Sequence, residues 1–204
     1  MGHVGREARG GLETIREEQF LGFMHKAEQL KCELRHGWTS SGRRESVAEH
    51  SWRLCLAAWL LKEEFPDLNM ERLLELCLLH DLGEAMTGDI PAFEKKEADE
   101  AREREASEEL SGMLPKRKGE ELLERLREFE EGRTLEAKAA RALDKMEAVI
   151  QHNESRIDTW LPLEYDLQLT HGTKEAKEIP QLARLREAVK EETIRKIRKE
   201  SSER

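Results

Sequence analysis

The chain has 204 residues, a length that suits one domain with a single hydrophobic core. Charged residues make up 39% of it, aromatic residues only 5%, and 35 basic against 44 acidic residues give a net charge of −9. Such a surface repels phosphate polymers, so we expect no nucleic-acid polymer as a partner. A small phosphorylated ligand stays compatible with this charge if cations gather in one cleft.

Cysteine usage and hydropathy predict a cytoplasmic protein. Cys32, Cys55 and Cys77 have no C-x-x-C spacing, and two of them lie in apolar helical patterns, as expected in a reducing compartment. The longest apolar run, 54–61, is too short to cross a bilayer, so no membrane association is expected. The N-terminus is polar and glycine-rich, without a signal sequence, which predicts a flexible leader over residues 1–11.

The first half of the chain is predicted to form three helices. The first covers roughly 12–34, and the polar loop RHGWTSSGRR follows it. Ser46 and Glu49 form a capping box before an apolar run, which predicts a second helix from Ser46 to about residue 64. Asn69 is predicted to cap a third helix that ends near residue 82.

The second half is predicted to be helical as well. Charges at i,i+4 spacing predict a solvated helix over 94–111, and two more helices are expected at 120–131 and 134–152. An irregular stretch at 154–173 precedes a last amphipathic helix that begins at Pro180. No strand pattern or internal repeat is evident, so the predicted fold is all-α, a single-domain helical bundle.

Four polar side chains interrupt the apolar faces of these helices. His50 lies in the second helix, His80 and Asp81 lie near the end of the third, and Asp144 lies among alanines of the 134–152 helix. Each alone has an ordinary explanation as a satisfied core residue. Burying all of them is costly unless something binds them. Together they form a nitrogen and oxygen ligand set that suits Co, Mn, Mg, Zn, Fe or Ni rather than a thiolate-selecting metal.

Longer segments resemble a known family. They are R-H-G-W at 35–38, E-S-V-A-E-H-S-W-R at 45–53, H-D-L-G-E at 80–84, T-G-D-I-P at 87–91 and L-D-K at 143–145. The pattern is similar to that of the HD superfamily of metal-dependent phosphohydrolases, and most closely to its 5′-deoxynucleotidase branch. The similarity covers roughly residues 15–190. It implies an HD-type helical domain over 12–199, with a frayed tail at 200–204.

The resemblance implies a metal site with two additional carboxylates. His50, His80, Asp81 and Asp144 would hold one divalent metal ion and leave positions open for water and a phosphate oxygen. Glu84 would orient or deprotonate the attacking water, and Asp89 would act near the sugar or the leaving oxygen. Which of these two carboxylates performs which step stays open at this point.

The resemblance also implies substrate contacts. Arg35 would bind the phosphate and Trp38 would form a wall that disfavours a ribose 2′-hydroxyl. Two alternatives stay open: Arg43 or Arg44 could supply the phosphate contact, and Trp38 could simply anchor its loop. Lys145 is a further candidate, pairing with Asp89 or with the phosphate.

Other conspicuous residues are predicted to be structural. Trp52 and Trp59, seven residues apart, are expected in the core. The remaining histidines have no partners at ligand spacing and are expected to be surface or structural residues; they are His25, His36, His152 and His171.

The function that the resemblance implies is hydrolysis of deoxyribonucleoside 5′-monophosphates by a homodimeric enzyme. One alternative is another HD phosphohydrolase, acting on an alarmone, a cyclic dinucleotide or a nucleoside triphosphate. The G-D-I-P loop and the sequence H-D-L-G-E-A argue against it. A second alternative is a non-catalytic helical module with a structural metal, which would have no use for Glu84 and Asp89.

Overall fold

The computed structural model describes residues 14–91 and 93–202, and helices make up most of this part of the chain. The elements follow in the order α1 Glu17–Ala27, β1 Leu34–Trp38, β2 Arg44–Ser46, α2 Val47–Leu60, α3 Met70–Leu79, α4 Glu84–Thr87, α5 Glu97–Gly112, α6 Lys116–Glu131, α7 Leu135–Glu154, α8 Glu164–Thr170, α9 Thr173–Ala176 and α10 Pro180–Ser202. The predicted all-α class is confirmed. The predicted leader, 1–11, lies outside the described residues, and the domain boundaries stay predictions.

The helix α7 is the centre of the bundle. It contacts α2, α3, α6, α9 and α10. Four of its alanines are fully buried, and side chains this small let neighbouring helices approach closely; they are Ala137, Ala139, Ala140 and Ala142. Leu54 of α2, Leu73 of α3 and Leu182 of α10 pack into the same core. Side chains on α7 therefore lie within reach of several helices at once.

The predicted starts of α2 and α3 are confirmed by their caps. The Ser46 hydroxyl accepts a hydrogen bond from the Glu49 N–H, and the Glu49 carboxylate accepts one from the Ser46 N–H, so both halves of the capping box are present. The Asn69 side chain accepts a bond from the Arg72 N–H at 3.1 Å and caps α3. These caps fix where the helices that carry His50 and His80 begin.

The prediction of a loop without strands after α1 was wrong. Residues 34–46 form an antiparallel hairpin, in which Leu34 pairs with Ser46 and Trp38 with Arg44. Between these pairs β1 advances four residues and β2 only two, so β1 is bulged. A strand of three residues is too short to leave an alternating pattern in the sequence. The bulge lets two neighbouring residues of β1, Arg35 and His36, line the same cleft.

The prediction that Trp52 and Trp59 lie in the core was also wrong. Their exposed fractions are 65% and 60%. The helix α2 is apolar on nearly every side, and it buries the face that carries Leu54 and Ala58 against α3 and α7. The opposite face forms a stripe at i, i+4, i+7 and i+8, which we term the outer stripe: Trp52, Leu56, Trp59 and Leu60. None of the helices in the described ranges has the length and apolar character that crossing a membrane demands.

Candidate active site

The four candidate metal ligands converge from α2, the end of α3 and α7. The Nε2 atom of His50 lies 3.2 Å from Asp144 Oδ1 and 3.9 Å from Asp81 Oδ2. The Nε2 atom of His80 lies 3.0 Å from Asp81 Oδ2 and 3.8 Å from Asp144 Oδ1. One donor atom from each residue therefore faces a common point.

This geometry fits a bound divalent cation. Ligands held about 2.1 Å from one ion lie about 3.0 Å apart at right angles and about 3.4 Å apart at tetrahedral angles. Two of the separations, 3.0 and 3.2 Å, are of this size, and the other two, 3.8 and 3.9 Å, are somewhat longer. The Nε2 atoms of His50 and His80 are buried and have no hydrogen-bond partner. A buried nitrogen without a partner is costly, and a cation bound among the carboxylates would satisfy both imidazoles.

The other ring nitrogen of each histidine is already held. The Nδ1–H of His80 donates to the Cys77 carbonyl oxygen at 3.0 Å. The Nδ1 of His50 contacts the carboxylate of Glu147, which is 2% exposed. With hydrogen on Nδ1, the Nε2 lone pair of each ring is free for a metal, an arrangement typical of metal-binding histidines.

Sequence reasoning missed Glu147. It lies one turn after Asp144, on the same face of α7, and that i,i+3 spacing was the available signal. Its carboxylate also lies 3.6 Å from Arg53 Nε. Glu147 therefore supports the site, because its buried carboxylate contacts both the candidate ligand His50 and the cation Arg53.

The glycine at position 88 sets the path of the loop that carries Asp89. Gly88 has φ of +78°, and a Cβ atom there would lie 3.1 Å from Glu33 Oε1. The same Glu33 oxygen accepts a hydrogen bond from the Asp89 N–H at 3.3 Å. Because this turn needs both positive φ and a close approach, glycine is the residue that fits. The turn brings Asp89 into the cleft beside the candidate ligands.

Glu84 begins the short helix α4 and points toward the same cleft. Its Oε2 atom is buried and has no hydrogen-bond partner. Burial, together with the negative charges of Asp81 and Asp89, raises the pKa of Glu84 to about 10 when no cation is bound. A carboxyl group that holds its proton this strongly, at a cleft, is typical of a functional site.

Arg35 is the cation nearest to this group of carboxylates. Its guanidinium lies 3.3 Å from Asp81, 3.9 Å from Asp89 and 3.6 Å from Glu45. Arg44 supports it from the paired strand, because the Arg44 Nε–H donates to the Arg35 carbonyl oxygen at 2.5 Å. The structure therefore places Arg35 between the candidate ligands and Asp89.

The other expected substrate contacts lie differently. Trp38 does not line the cleft; it lies beside the guanidinium of Arg44, and its carbonyl oxygen accepts a bond from Gln151 at 2.6 Å. Arg43 also stays outside and pairs with Glu49. Lys145 lines the cleft, but its ammonium contacts Glu175 of α9 rather than Asp89. Strand pairing and a competing carboxylate explain these differences, and neither was visible in the sequence.

The cleft has a volume of about 270 Å³. Three of the histidines expected to be surface or structural line it: His36, His152 and His171. Lys95, a residue that sequence reasoning did not single out, also lines it, with its ammonium 2.6 Å from Glu103. The volume lies just below the range of about 300–1,000 Å³ that small-molecule sites occupy, so the cleft suits a small ligand.

Comparisons with known proteins agree with this geometry. The family model described as HD domain matches residues 27–186. The human protein named 5′-deoxynucleotidase HDDC2 is 35% identical over 138 residues, which cover 66% of this chain and 67% of the relative. The fission yeast protein named 5′-deoxynucleotidase hdd1 is 32% identical over 137 residues, covering 63% and 68% of the two chains.

A solved structure shares the fold. It is the crystal structure of a predicted metal-dependent phosphohydrolase from Magnetospirillum magnetotacticum MS-1, with a TM-score of 0.73 and 28% sequence identity. The match covers 87% of this chain and 92% of that one. The family match, the shared fold and the convergence of His50, His80, Asp81 and Asp144 lead to one conclusion: this chain belongs to the HD domain family.

Proposed function

We propose that the protein is a metal-dependent 5′-nucleotidase that hydrolyses deoxyribonucleoside 5′-monophosphates to deoxynucleoside and phosphate. One observation carries the proposal: Glu84 and Asp89 share a cleft with three of the four candidate metal ligands, His80, Asp81 and Asp144. The fourth, His50, lies beneath the cleft floor with its Nε2 atom facing Asp81 and Asp144. A purely structural metal site needs only a closed ligand set. The additional carboxylates therefore favour catalysis over a non-catalytic module, and the names of the human and yeast relatives supply the reaction class.

The ligands we assign are His50, His80, Asp81 and Asp144, for one divalent cation. When bound, such a cation lowers the pKa of a water molecule and offsets negative charge on a phosphoryl group. Nitrogen and carboxylate ligands do not select among Co, Mn, Mg, Zn, Fe and Ni, so the native ion is left to experiment.

Two carboxyl groups can divide the proton transfers between them. Burial raises the pKa of Glu84, so this group can hold a proton. Burial also raises the pKa of Asp89, although the positive charge of Arg35 acts in the opposite direction. We assign Glu84 to the attacking water and Asp89 to the sugar side of the scissile bond, because Glu84 lies one turn after His80. Arg35, Lys95 and Lys145 are the arginine and lysine residues that line the cleft, and we assign them to the phosphate.

The size of the cleft favours a mononucleotide over the alternatives. A cyclic dinucleotide or an alarmone is larger and carries additional phosphates, whereas a cleft of about 270 Å³ is at the small end of ligand sites. A nucleoside triphosphate would bring more negative charge to a site already rich in carboxylates. A nucleic-acid polymer is disfavoured by the net charge of −9.

We propose that the protein is a homodimer that uses the outer stripe of α2. Trp59 and Leu60 are 60% and 66% exposed, and Leu78 of α3 is 58% exposed. Exposed apolar side chains of this kind are typical of protein interfaces, where tryptophan is enriched.

We also propose a reducing compartment, the cytoplasm. Cys32, Cys55 and Cys77 are all free thiols in the structure. Proteins of oxidising compartments usually pair their cysteines. Fractionation of cells that express the chain with a small tag would test this assignment.

The test of the reaction is phosphate release from deoxy- and ribonucleoside 5′-monophosphates, by protein stripped with EDTA and supplied with each divalent metal in turn. An alarmone, a cyclic dinucleotide and a nucleoside triphosphate would run alongside. We expect metal-restored turnover that favours the deoxynucleoside monophosphates. Turnover of one of the larger nucleotides alone would overturn the proposed substrate class.

A further inference from the structure

The cleft has a second end that the proposed hydrolysis does not use. We term it the distal end, and five residues form it: His36, Phe93, His152, Glu164 and Gln168. On α7, His152 follows Asp144 by eight residues, which corresponds to about 12 Å along the helix axis. That is the length scale of a mononucleotide. A nucleotide whose phosphate lies at the candidate metal ligands would therefore place its base near the distal end.

The two imidazoles of the distal end lie against one carboxylate. The Nε2 atom of His152 lies 2.9 Å from Glu164 Oε1, and that of His36 lies 3.2 Å from the same oxygen. The Nδ1–H of His152 donates to the Ala148 carbonyl oxygen at 2.9 Å. The other Glu164 oxygen accepts a bond from the Leu161 N–H at 2.7 Å. Both carboxylate oxygens are thus occupied. The His152 ring is hydrogen-bonded through both of its nitrogens, whereas the Nε2 atom of His36 makes no hydrogen bond.

These rings form a flat-sided, partly apolar pocket. The rings of His36 and His152 are stacked with centroids 6.3 Å apart, and Phe93 meets the edge of His36 with centroids 5.7 Å apart. Leu167 of α8 adds an aliphatic side chain to the same lining. Planar rings with aliphatic neighbours bind nucleobases by stacking, without requiring a particular base.

The distal end also contains a carboxamide, that of Gln168. Gln168 is 3% exposed and lies one turn after Glu164, on the same face of α8. The backbone carbonyl oxygen of Gln168 accepts a hydrogen bond from the Arg186 guanidinium at 2.8 Å, which fixes the backbone at this position. Within the described ranges, its side-chain amide makes no hydrogen bond. An amide that lines the cleft and has no protein partner is available to hydrogen-bond a ligand there.

We propose that the distal end binds the nucleobase and that Gln168 is the residue that hydrogen-bonds to it. A carboxamide offers one acceptor and two donors, which match the donor and acceptor pairs on the edge of a base. His36 and Phe93 supply the surface against which the base packs. The inference rests on the proposed function, since it assumes that the phosphate lies at the candidate metal ligands.

The test compares substrates with and without a base. The probes are the four deoxynucleoside 5′-monophosphates and 2-deoxyribose 5-phosphate, assayed with wild type, Gln168→Ala and Asp166→Ala. Asp166 lies exposed on the outer side of α8 and provides the matched control. We expect Gln168→Ala to lower kcat/KM for the nucleotides about tenfold, unequally among the bases, and to change that for 2-deoxyribose 5-phosphate by less than about twofold.

Three results would overturn the inference. An equal loss on the nucleotides and on 2-deoxyribose 5-phosphate would mean that Gln168 only supports the fold. Unchanged kinetics on every nucleotide would mean that the base lies elsewhere. A second equivalent of divalent metal, bound by wild type and lost in His36→Ala, would mean that His36, His152 and Glu164 hold a cation where we place the base.

The failure of the proposed function would be recognised separately. In that case wild type would release phosphate from neither the nucleotides nor 2-deoxyribose 5-phosphate. Calorimetric titration with free deoxynucleosides would then decide the inference directly. Binding by wild type that is weakened in Gln168→Ala and kept in Asp166→Ala would support it, and the absence of binding to wild type would contradict it.

Discussion

The imidazole of His50 and the carboxylate of Glu147 form a pair that solvent scarcely reaches, with exposed fractions of 0% and 2%. The carboxylate holds the Nδ1 side of the ring, so the Nε2 side faces Asp81 and Asp144. Orientation of a metal-binding histidine by a carboxylate fixes the tautomer and increases the basicity of the ligand atom. Glu147 is therefore expected to act on metal affinity without touching the metal.

Replacing Glu147 with glutamine should weaken metal binding and leave the fold intact. The amide has the same shape but a weaker hold on the His50 N–H, and losses of this kind are about 10- to 100-fold in affinity. The affinity for Co²⁺ or Mn²⁺, measured by competition with a chelator, would report it. Glu154→Gln is the matched control, because Glu154 lies on the same helix and pairs with Arg53 at its partly exposed end. Equal affinities in wild type and Glu147→Gln would remove Glu147 from the site.

Replacing Arg35 with lysine should lower kcat/KM by about tenfold or more. The reason is that an ammonium cannot make the two parallel hydrogen bonds that a guanidinium makes to a phosphate. Steady-state kinetics on a deoxynucleoside monophosphate would measure the loss. Arg43→Lys changes an arginine of the same hairpin that pairs with Glu49 outside the cleft, and it should behave like wild type. Similar losses in both variants would indicate a general effect on the hairpin.

Glu84 should make the metal-free protein less stable as the pH rises. Burial and the charges of Asp81 and Asp89 raise the pKa of Glu84 from 4.5 to about 10. The unfolded chain releases this proton near pH 4.5 and the folded protein keeps it, so the stability contributed by Glu84 is full below pH 4.5 and is lost progressively toward pH 10.

The variant Glu84→Gln has no such proton. In EDTA, wild type should lose stability between pH 5 and pH 8 through Glu84, and the variant should not. The free energy of unfolding of Glu84→Gln minus that of wild type should therefore increase by more than about 1 kcal/mol over this range. Urea unfolding at the two pH values measures the difference. A difference between the two proteins that does not change with pH would show that Glu84 is not the titrating group.

The outer stripe of α2 should control the oligomeric state. Trp59→Glu places a charge in the proposed interface and should give a monomer by light scattering at concentrations where wild type is a dimer. Leu163→Glu changes an apolar residue that is 47% exposed elsewhere, and it serves as the control. Wild type that is monomeric at high concentration would contradict the dimer.

Local signals in the sequence predicted much of the framework. The caps at Ser46 and Asn69 depend on residues three positions apart and could be predicted. The candidate ligands were visible because a histidine or aspartate on an apolar helical face is unusual, and α7 does bring Asp144 to His50.

Features that depend on distant neighbours could not be predicted. The bulged hairpin depends on pairing between two short segments. Lys145 finds Glu175 across a helix contact that no spacing reveals. Trp52 is apolar enough for the core, and only the packing of α2 decides which of its apolar faces is buried.

The most direct test of the account is phosphate release from a deoxynucleoside 5′-monophosphate as stripped protein is titrated with Co²⁺ or Mn²⁺. Asp81→Ala and Glu84→Ala would be titrated in parallel, with bound metal measured in each sample. We predict that activity rises in proportion to the first equivalent of metal. We also predict that Asp81→Ala binds metal poorly and that Glu84→Ala binds it but does not turn over. Full activity in EDTA, or activity that survives in Asp81→Ala, would contradict the assignment of the site.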